Sequence, residues 1–351
     1  KHMKILILGN LGYLGSVLVK HLRKTFPESC LIGFDNAYFE TCLLKDEDLP
    51  EVNLNKQYYG DIRNISSEIF ENEKFDVVIQ LAAISNDPMG KIFEKQTLEI
   101  NTYGTEVVAK MAKESGVKSF IFASSCSIYG MSGNEIKNES SELSPQTVYA
   151  QSKIESETKL SDIADENFLI TCLRFATACG LSPRMRLDLV LNDFIASAII
   201  NKKIEILSDG TPWRPLINVK DMSRAIEWAS NRKTIQGGCF LAINVGADES
   251  NIQVRDLAYK VSEILGGIDI SINSASSLDT RSYKVDFSLF TELATGYLPE
   301  LSLTDSINEM TNKLVRIKID SNFRESSWMR LVHLKNLLNK GLLDDELRWV
   351  V

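Results

Sequence analysis

The stretch Lys4-Ile5-Leu6-Ile7-Leu8-Gly9-Asn10-Leu11-Gly12-Tyr13-Leu14-Gly15 decides how this chain of 351 residues folds. Its first five residues form an apolar, partly β-branched run that is typical of a buried parallel strand. Glycines follow at Gly9, Gly12 and Gly15, and from Ser16 the apolar spacing becomes helical. Strand, glycine turn and helix form the context of a dinucleotide-binding loop, because a pyrophosphate can approach the backbone at the helix N-terminus. The spacing is GxxGxxG rather than GxGxxG, so this prediction needs support from the rest of the chain.

Support comes from the next predicted strand, Cys30-Leu31-Ile32-Gly33-Phe34-Asp35, which ends in an acid about twenty residues after the last loop glycine. A carboxylate at this point accepts hydrogen bonds from the ribose hydroxyls of an adenosine and repels a 2′-phosphate. Asp35 therefore favours NAD over NADP. In the alternative interpretation, Asp35 only caps the turn that it begins with Asn36.

Strand-length apolar segments alternate with helical segments along the first half of the chain. Strands are predicted at 57–63, 75–83, 119–125 and 168–174, and helices at 97–115 and 147–164. This alternation predicts an α/β fold with a doubly wound parallel sheet. We expect an NAD-binding domain over residues 3–180, to which later segments return. A smaller α/β lobe for the substrate follows over 181–320, beginning with a helix over 184–200, and a helical tail covers 321–351.

Composition excludes several other classes of protein. The chain has 44% apolar and 25% charged residues, as an ordinary globular protein does. A net charge of −8 and a pI near 5.2 argue against nucleic acid or an anionic membrane as the main partner. The longest apolar stretches fall short of the roughly 20 residues that span a bilayer, and no secretion signal is recognisable.

Cysteines and histidines give no sign of a metal site. The six cysteines are scattered without CxxC pairs or companion histidines, which suits a reducing cytoplasm. The three histidines lie far from the predicted strand ends, so histidine-based acid–base catalysis is not expected. Catalytic side chains of another type are therefore expected.

Tyr149 and Lys153 are the strongest candidates for catalysis. They lie four residues apart in a predicted helix, so their side chains share one face. A lysine ammonium near a phenol favours phenolate and lowers the pKa of the tyrosine, and a positively charged nicotinamide acts in the same direction. Such a tyrosine can take a proton from a sugar hydroxyl while hydride leaves the same carbon. The YxxxK spacing alone is common by chance, but here it follows a glycine loop and several βα units.

With these motifs in order, the chain resembles the extended short-chain dehydrogenase/reductase superfamily, and within it the NAD-dependent nucleotide-sugar epimerase/dehydratase branch. The resemblance implies a Rossmann-type sheet and a catalytic serine three residues before the triplet Ile128-Tyr129-Gly130, which is Ser125. In the alternative interpretation, Ser124, Ser125 and Ser127 only satisfy backbone groups at the strand end. The cofactor contacts expected on this basis are Gly9, Gly12, Tyr13, Leu14, Gly15, Asp35, Asn36, Asp61, Ile62, Leu81, Ala82, Ala83, Ser124, Tyr149 and Lys153.

Asp61 has two alternative interpretations. It follows a predicted third strand, where a carboxylate can meet the adenine amino group, and it can equally cap the helix that begins near Ser66.

The two residues after Ser125 bear on the reaction. In the family, 4,6-dehydratases resemble one another in an Asp-Glu pair at these positions, whereas this chain has Cys126-Ser127. Loss of water is therefore not expected. Relatives that epimerise C3 or C5 carry a cysteine just before the aliphatic residue of the triplet, and here Cys126 falls one position early, so this reaction is not expected either. What remains is reversible oxidation at one carbon, most often C4, as in a 4-epimerase. The alternatives are an NDP-sugar C4-dehydrogenase or ketosugar reductase, and a non-catalytic NAD-sensing scaffold.

The resemblance also implies a nucleotide-diphospho-sugar substrate. Arg214 and Arg281 match the family's two phosphate-binding arginines, and the fork of a guanidinium fits phosphate oxygens. In the alternative interpretation, either arginine forms only a surface salt bridge. Thr177 stands where many relatives carry asparagine. Arg184 and Arg186 lie near the predicted helix start, where they could bind phosphate, a carboxylate or a sugar, or pair with Asp188 and Asp193.

The family resemblance further implies a homodimer through the helices at 97–115 and 147–164, a cytoplasmic location and a role in polysaccharide biosynthesis. In the tail, Trp328, Leu331, Leu334 and Leu338 have helical spacing. This face is expected to pack on the protein itself or on a second subunit rather than on the cofactor.

Overall fold

The computed structural model describes residues 2–273 and 281–350. Its strands are β1 (Lys4–Leu8), β2 (Cys30–Asp35), β3 (Lys56–Tyr59), β4 (Val77–Gln80), β5 (Ser119–Ser125), β6 (Met131–Lys137), β7 (Leu169–Phe175), β8 (Thr177–Cys179), β9 (Lys203–Ile206), β10 (Trp213–Asn218), β11 (Phe240–Val245), β12 (Asn251–Gln253), β13 (Asp269–Ile272) and β14 (Ser282–Val285). Its α-helices are α1 (Tyr13–Thr25), α2 (Ser67–Glu73), α3 (Asp87–Ile92), α4 (Glu94–Thr97), α5 (Thr105–Glu114), α6 (Val148–Ile163), α7 (Val190–Asn201), α8 (Val219–Asn231), α9 (Val254–Ile264), α10 (Ser288–Leu293), α11 (Leu303–Ile317) and α12 (Arg330–Asn339).

The centre of the fold is a seven-stranded sheet in the order β3-β2-β1-β4-β5-β7-β11. Every neighbouring pair in it is parallel. Strands β1 to β3 are added in one direction across the sheet, and from β4 onward they are added in the other, so the strand order reverses between β1 and β4. In such sheets, ligands bind at the carboxyl ends of the strands beside this point. The doubly wound α/β fold that the sequence predicts is confirmed.

Both faces of this sheet are buried, as the apolar run of β1 requires. Ile5 and Ile7 belong to one hydrophobic cluster, and Leu6 and Leu8 belong to the other. Side chains alternate across a strand, so each face of β1 contributes two side chains to a separate core. This double burial fixes the position of the loop that follows Leu8.

Later segments return to the central sheet. Strand β11 pairs with β7 at its edge, and α8 packs against α1. The remaining strands form small sheets beside it: β12-β10-β8, the parallel pair β9 and β13, and the parallel pair β6 and β14. Among the described residues, no helix combines the length and the apolar character needed to cross a membrane.

Helix boundaries differ from the predicted ones in two places. The helix expected over 97–115 is continuous in space but contains a π-helical segment at Leu98–Gly104, between α4 and α5. The helix expected over 184–200 begins only at Val190. In the preceding segment, the amide of Leu187 donates to the carbonyl of Trp328 at 2.9 Å. Its backbone is thus bonded to the tail rather than within a helix.

The tail packs beside the loop that follows β2. Helix α12 places a ring nitrogen of His333 2.8 Å from the carbonyl oxygen of Tyr38. Further along, the indole of Trp349 donates to the carbonyl of Asn36 at 2.6 Å, and Arg63 donates to the carbonyl of Glu346 at 2.7 Å.

Candidate active site

A cavity of about 820 Å³ lies at the carboxyl ends of the central strands and reaches the smaller lobe. This size is in the range of small-molecule and cofactor sites. The predicted site residues that line it are Gly9, Gly12, Tyr13, Leu14, Gly15, Asp35, Asn36, Ile62, Leu81, Ala82, Ala83, Ser124, Ser125, Tyr149, Lys153, Thr177, Arg186, Arg214 and Arg281. Two predicted residues, Asp61 and Arg184, are not part of this lining.

The glycine loop has the geometry of a phosphate cradle. Gly9 has φ +87°, in the left-handed region, and a Cβ there would lie 2.7 Å from the amide nitrogen of Ala82. A Cβ on Gly15 would lie 2.4 Å from the carbonyl oxygen of Gly9. Among the described residues, no side chain caps the start of α1, and its first turn holds no acid. The free amides at this helix N-terminus therefore fit the pyrophosphate of NAD.

Tyr13, inside this loop, uses its side chain for packing. Its hydroxyl donates to the carbonyl of Gly180 at 2.6 Å, and the ring is buried. The side chain thus ties the loop to the segment after β8, which leaves the start of α1 open to the cavity.

The position of Asp35 is compatible with both interpretations that the sequence left open. Its carboxylate accepts hydrogen bonds from the amides of Leu11 at 3.0 Å and Ala37 at 2.8 Å, so it does organise the turn. It also lines the cavity, and each carboxylate oxygen has a second lone pair for a ribose hydroxyl. Burial raises its pKa, and the two backbone hydrogen bonds oppose that shift.

Asp61 is turned away from the cavity. Its carboxylate accepts from the amide of Arg63 at 2.8 Å and forms a salt bridge with the guanidinium of Arg63 at 2.6 Å. It caps a short 3₁₀ turn over Ile62–Asn64 rather than the helix near Ser66, whose own hydroxyl caps α2. The geometry therefore does not support the predicted adenine contact, because the Arg63 partner occupies the carboxylate.

Tyr149, Lys153 and Ser125 meet at the end of β5. Helix α6 starts one residue before Tyr149, with Thr147 as its N-cap. The side chains of Tyr149 and Ser125 lie near enough for the Ser125 hydroxyl to lower the pKa of the phenol. The ammonium of Lys153 lies 5.6 Å from the centre of the Tyr149 ring and donates to the carbonyl of Ala123 at 2.6 Å. Ser125 also accepts from the amide of Ser127 at 3.1 Å, so its hydroxyl has a structural partner as well.

The protein's own charges do not make this phenol acidic. Burial raises the pKa of Tyr149, while the hydrogen bond with Ser125 and the positive charge of Arg186 oppose the increase. Burial also lowers the pKa of Lys153 to about 8, against the effect of Glu157. In the protein alone burial therefore dominates, and the lowering of the Tyr149 pKa by Lys153 together with a bound nicotinamide stays a prediction for the NAD-bound protein.

The neighbouring Ser124 is a structural residue. Its hydroxyl donates to Glu157 at 2.5 Å, and Glu157 in turn forms a buried salt bridge with Arg174 at 2.6 Å.

The smaller lobe contributes two arginines and a threonine. Arg214, on β10, lies with its guanidinium 5.4 Å from the centre of the Tyr283 ring and donates to the carbonyl of Trp213 at 2.8 Å. Arg281 forms a salt bridge with Asp87, at the start of α3. Thr177, on β8, lies near enough to Tyr283 to lower the pKa of its phenol. All three residues line the cavity, and for Arg214 and Arg281 this position is compatible with the predicted phosphate-binding role.

Arg184 is not a substrate contact. It is fully buried, and its guanidinium bonds with Ser16 at 3.1 Å, the carbonyl of Glu40 at 3.1 Å and the carboxylate of Glu51 at 2.5 Å. These partners belong to α1 and to the connection between β2 and β3. Arg184 therefore joins three segments of the fold, and the prediction of substrate binding is wrong.

Arg186 lines the cavity, and it is also paired as the second interpretation proposed. Its guanidinium contacts the carboxylate of Asp188 through two nearly parallel bonds, at 3.0 and 3.2 Å. A third nitrogen donates to Ser85 at 3.3 Å.

Sequence reasoning identified Leu81, Ala82 and Ala83 after β4 but missed residues 84–88, which also line the cavity. Asn86 donates to Asp188 at 2.8 Å, and Asp87 accepts from Thr147 at 2.5 Å. Their position could have indicated them, because they follow β4, whose carboxyl end lies at the same edge of the sheet as Ser125 at the end of β5. It also missed the tail: residues 329–332 line the cavity, and the helical spacing of that segment carries no indication of it.

Comparisons with known proteins agree with this geometry. A model of the NAD dependent epimerase/dehydratase family matches residues 5–246. The chain is 26% identical over 225 residues to dTDP-D-glucose 4,6-dehydratase of Mus musculus, covering 63% of each protein. It is 26% identical over 278 residues to UDP-glucose 4-epimerase of Lacticaseibacillus casei, covering 74% of this chain and 81% of that protein. It is similar in structure to UDP-glucuronic acid 4-epimerase of Bacillus cereus in complex with UDP-glucuronic acid and NAD, with a TM-score of 0.76 and 24% identity over 90% of this chain and all of that one.

These matches differ in what they establish. The chain spans only 63% of the length of the mouse dehydratase that it matches, and the likeness to the Bacillus cereus structure shows a common fold. The family model, in contrast, covers more than half of the chain, including the glycine loop and the Tyr149–Lys153 pair. The chain therefore belongs to the NAD-dependent epimerase/dehydratase family of extended short-chain dehydrogenases/reductases, whose cofactor is NAD.

Proposed function

We propose that this chain is a nucleotide-sugar 4-epimerase that works by transient oxidation at C4. The observation that carries the proposal is that Ser125 and Tyr149 lie together beside Lys153, in a cavity that also contains Asp35 and the glycine loop. Reversible oxidation of a carbinol needs a proton acceptor on its hydroxyl next to a bound hydride acceptor. This cavity has room and partners for both.

Tyr149, Ser125 and Lys153 have separate roles in this reaction. When bound, NAD supplies the hydride acceptor and a positively charged ring that favours phenolate. Tyr149 takes the proton of the C4 hydroxyl as the C4–H bond gives up its hydride, and the product of this half-reaction is a 4-keto sugar. Ser125 holds the C4 oxygen with a hydrogen bond, and the ammonium of Lys153 stabilises the phenolate. With NAD bound, Tyr149 would then return its proton to the oxygen as C4 is reduced from its opposite face, which would invert the carbon and restore the enzyme.

The residues after Ser125 favour epimerisation over dehydration. Cys126 is fully buried, its Sγ donates to the carbonyl of Arg174 at 3.1 Å, and burial raises the pKa of the thiol. Such a thiol does not exchange protons with a sugar. Ser127 has no acidic or basic function near neutral pH. Elimination of water across C5 and C6 needs both an acid and a base at these positions, so a 4,6-dehydratase is disfavoured.

Arg214 and Arg281 are proposed to hold the substrate's diphosphate. Both line the end of the cavity formed by the smaller lobe, and a guanidinium binds phosphate oxygens in a bidentate manner. Thr177, beside Tyr283, would then border the sugar.

We also propose a homodimer through α5 and α6. Tyr103 and Val107 are exposed by 56% and 42% on the outer surface of the π-helical segment and α5, next to the salt bridge between Lys159 and Glu106. Exposed apolar groups on adjacent long helices suit a helix-to-helix interface.

Product analysis tests the proposed activity. Protein with NAD bound is incubated with UDP-glucose, dTDP-glucose and GDP-mannose, and each mixture is followed by NMR and by absorbance at 340 nm. The proposal predicts a C4 epimer from at least one of them with no net absorbance change. A keto sugar formed together with an equivalent of NADH would instead identify a dehydrogenase.

A further inference from the structure

Four side chains form a connected polar cluster in the cavity wall: Ser85, Asn86, Arg186 and Asp188. The guanidinium and the carboxylate face each other in the bidentate pair described above, with side chains only 8% and 11% exposed. Asn86 donates to the same carboxylate, and Ser85 accepts from the guanidinium. From outside the cluster, Asn192 donates to the carbonyl of Arg186 at 2.8 Å and holds its backbone. The cluster is therefore fixed before any ligand arrives.

The cluster lies close to Tyr149. Asp87, next to Asn86, accepts a hydrogen bond from Thr147, two residues before Tyr149, at 2.5 Å, and a Cβ on Gly90 of α3 would lie 3.3 Å from the Cβ of Tyr149. The positive charge of Arg186 also acts on the pKa of the phenol. If Tyr149 contacts the C4 hydroxyl, as the proposed function requires, we place the cluster beside the substituents of the two carbons that flank C4: those on C3, and C6 on C5. These are the positions at which nucleotide sugars differ most in charge, because C6 is a hydroxymethyl group in hexoses and a carboxylate in uronates.

The charge on Arg186 is already balanced. Burial alone would raise the pKa of Asp188, but the neighbouring Arg186 holds it below its usual value, so the acid is ionised. An ionised carboxylate in a buried wall repels a second carboxylate, whereas its free lone pairs and the guanidinium N–H groups bind hydroxyls. Nearby, Arg324 is paired with Asp193 in the same way, at 2.8 Å.

We propose, building on the 4-epimerase function above, that the sugar site selects an uncharged sugar ring over a uronate, and that Asp188 sets this selectivity by neutralising Arg186. Asp188 acts both as a hydroxyl acceptor and as a barrier to a C6 carboxylate. Asp188→Asn removes the charge but keeps the shape of the side chain. The Arg186 guanidinium then lacks its ionised partner and can bind a carboxylate of the substrate.

The test compares binding of UDP-glucose and UDP-glucuronic acid to the NAD-loaded full chain by calorimetry. We expect wild-type protein to bind the glucose form at least tenfold more tightly. Asp188→Asn should move this ratio by tenfold or more towards the uronate. Asp165→Asn is the control, because it removes a carboxylate that pairs with Lys113 outside the cavity lining, keeps the Arg186 pair and leaves the ratio unchanged.

The outcomes separate this proposal from the function on which it rests. Equal or tighter binding of the uronate by wild-type protein overturns the selectivity proposal, and so does an Asp188→Asn ratio equal to that of wild type. If Asp188→Asn does not fold, the ratio of the wild-type affinities for UDP-glucose and UDP-glucuronic acid alone tests the selectivity proposal. Failure of wild-type protein to bind UDP-glucose, dTDP-glucose or GDP-mannose would overturn the proposed function itself.

Discussion

At the scale of single residues, Lys153 is a site residue whose burial lowers the stability of the folded protein. Its side chain is 3% exposed, with the ammonium 4.6 Å from the centre of the Phe122 ring. Burial disfavours the charged form and lowers the pKa of this lysine to about 8, although Glu157 opposes the shift. A lysine held in this way costs folding free energy near neutral pH and is explained by its place beside Tyr149.

Replacement of Lys153 by methionine should change how stability depends on pH. In the unfolded chain this lysine has its ordinary pKa of 10.5, and in the folded chain about 8. Between these values the unfolded chain holds a proton that the folded chain has released, so the wild-type free energy of unfolding rises with pH relative to that of Lys153→Met. The full rise is on the order of 3 kcal/mol. Urea unfolding of NAD-free protein at pH 7, 8, 9 and 10 measures it.

The control is Lys159→Met, on the same helix. A hydrogen bond with Glu106 raises the pKa of Lys159, so this variant should show no such rise over the same range. Parallel curves for wild type and Lys153→Met would show that Lys153 is not desolvated as described.

Residue roles were predictable where the motif itself defines the geometry. The glycine loop, Asp35 and the Tyr149–Lys153 pair all line one cavity, because each follows or faces the carboxyl end of a sheet strand. Arg184 and Arg186 are alike in sequence, yet one bonds to Glu51 in a distant connection and the other to Asp188 within the cavity. The partner of a buried arginine is a property of the tertiary structure, and local sequence does not contain it.

At the scale of elements, the β1–loop–α1 unit depends on backbone contacts that leave no room for a side chain. A Cβ on Gly15 would meet the Gly9 carbonyl oxygen at 2.4 Å and the Asn10 Cα at 2.6 Å. Both are backbone atoms, and neither can move without displacing the loop. A Cβ on Gly12 would approach the same carbonyl oxygen only to 3.3 Å.

Gly15→Ala should therefore destabilise the fold and weaken NAD binding together. Overpacking of this type costs about 1–3 kcal/mol, and the displaced loop would misplace the amides at the start of α1. Thermal unfolding and calorimetric titration with NAD measure the two effects. Gly12→Ala is the matched control and should cost much less stability. Equal effects of the two substitutions would contradict the packing described for Gly15.

Element type was easier to predict than element boundaries. Continuous apolar runs flanked by helical spacing identified the strands of the parallel sheet, because burial on both faces leaves a strong pattern. Helix α7 starts later than predicted, since the segment before it forms backbone hydrogen bonds with other parts of the chain: the amide of Leu187 donates to the carbonyl of Trp328, and the carbonyl of Pro183 accepts from the amide of Leu44. Periodicity describes apolar spacing and does not record these bonds.

At the scale of the whole molecule, the tail was predicted as a helix but not as a wall of the site. Residues 329–332 line the cavity, and Arg330, almost fully buried, donates to the carbonyl of Arg184 at 3.0 Å. Apolar spacing in the tail predicted only that one face packs somewhere. The location of that contact depends on the closed fold of the preceding residues.

The proposed homodimer gives a prediction at the same scale. We expect wild-type protein to sediment as a dimer at micromolar concentration and Tyr103→Glu/Val107→Glu to associate at least tenfold more weakly, because buried carboxylates would face each other across the helices. Ile235→Glu is the control, since Ile235 is 90% exposed outside both helices, and this variant should remain dimeric. A wild-type monomer would contradict the proposed interface.

The central claim is that Tyr149 accepts the hydroxyl proton while the hydrogen on C4 leaves as hydride and returns. It is tested most directly with the nucleotide hexose that product analysis identifies, carrying deuterium at C4. The account predicts that NMR finds a C4 epimer that retains the deuterium, and that Tyr149→Phe lowers turnover by about a thousandfold or more while NAD stays bound. Loss of the deuterium to water, or unchanged turnover in Tyr149→Phe, would contradict it.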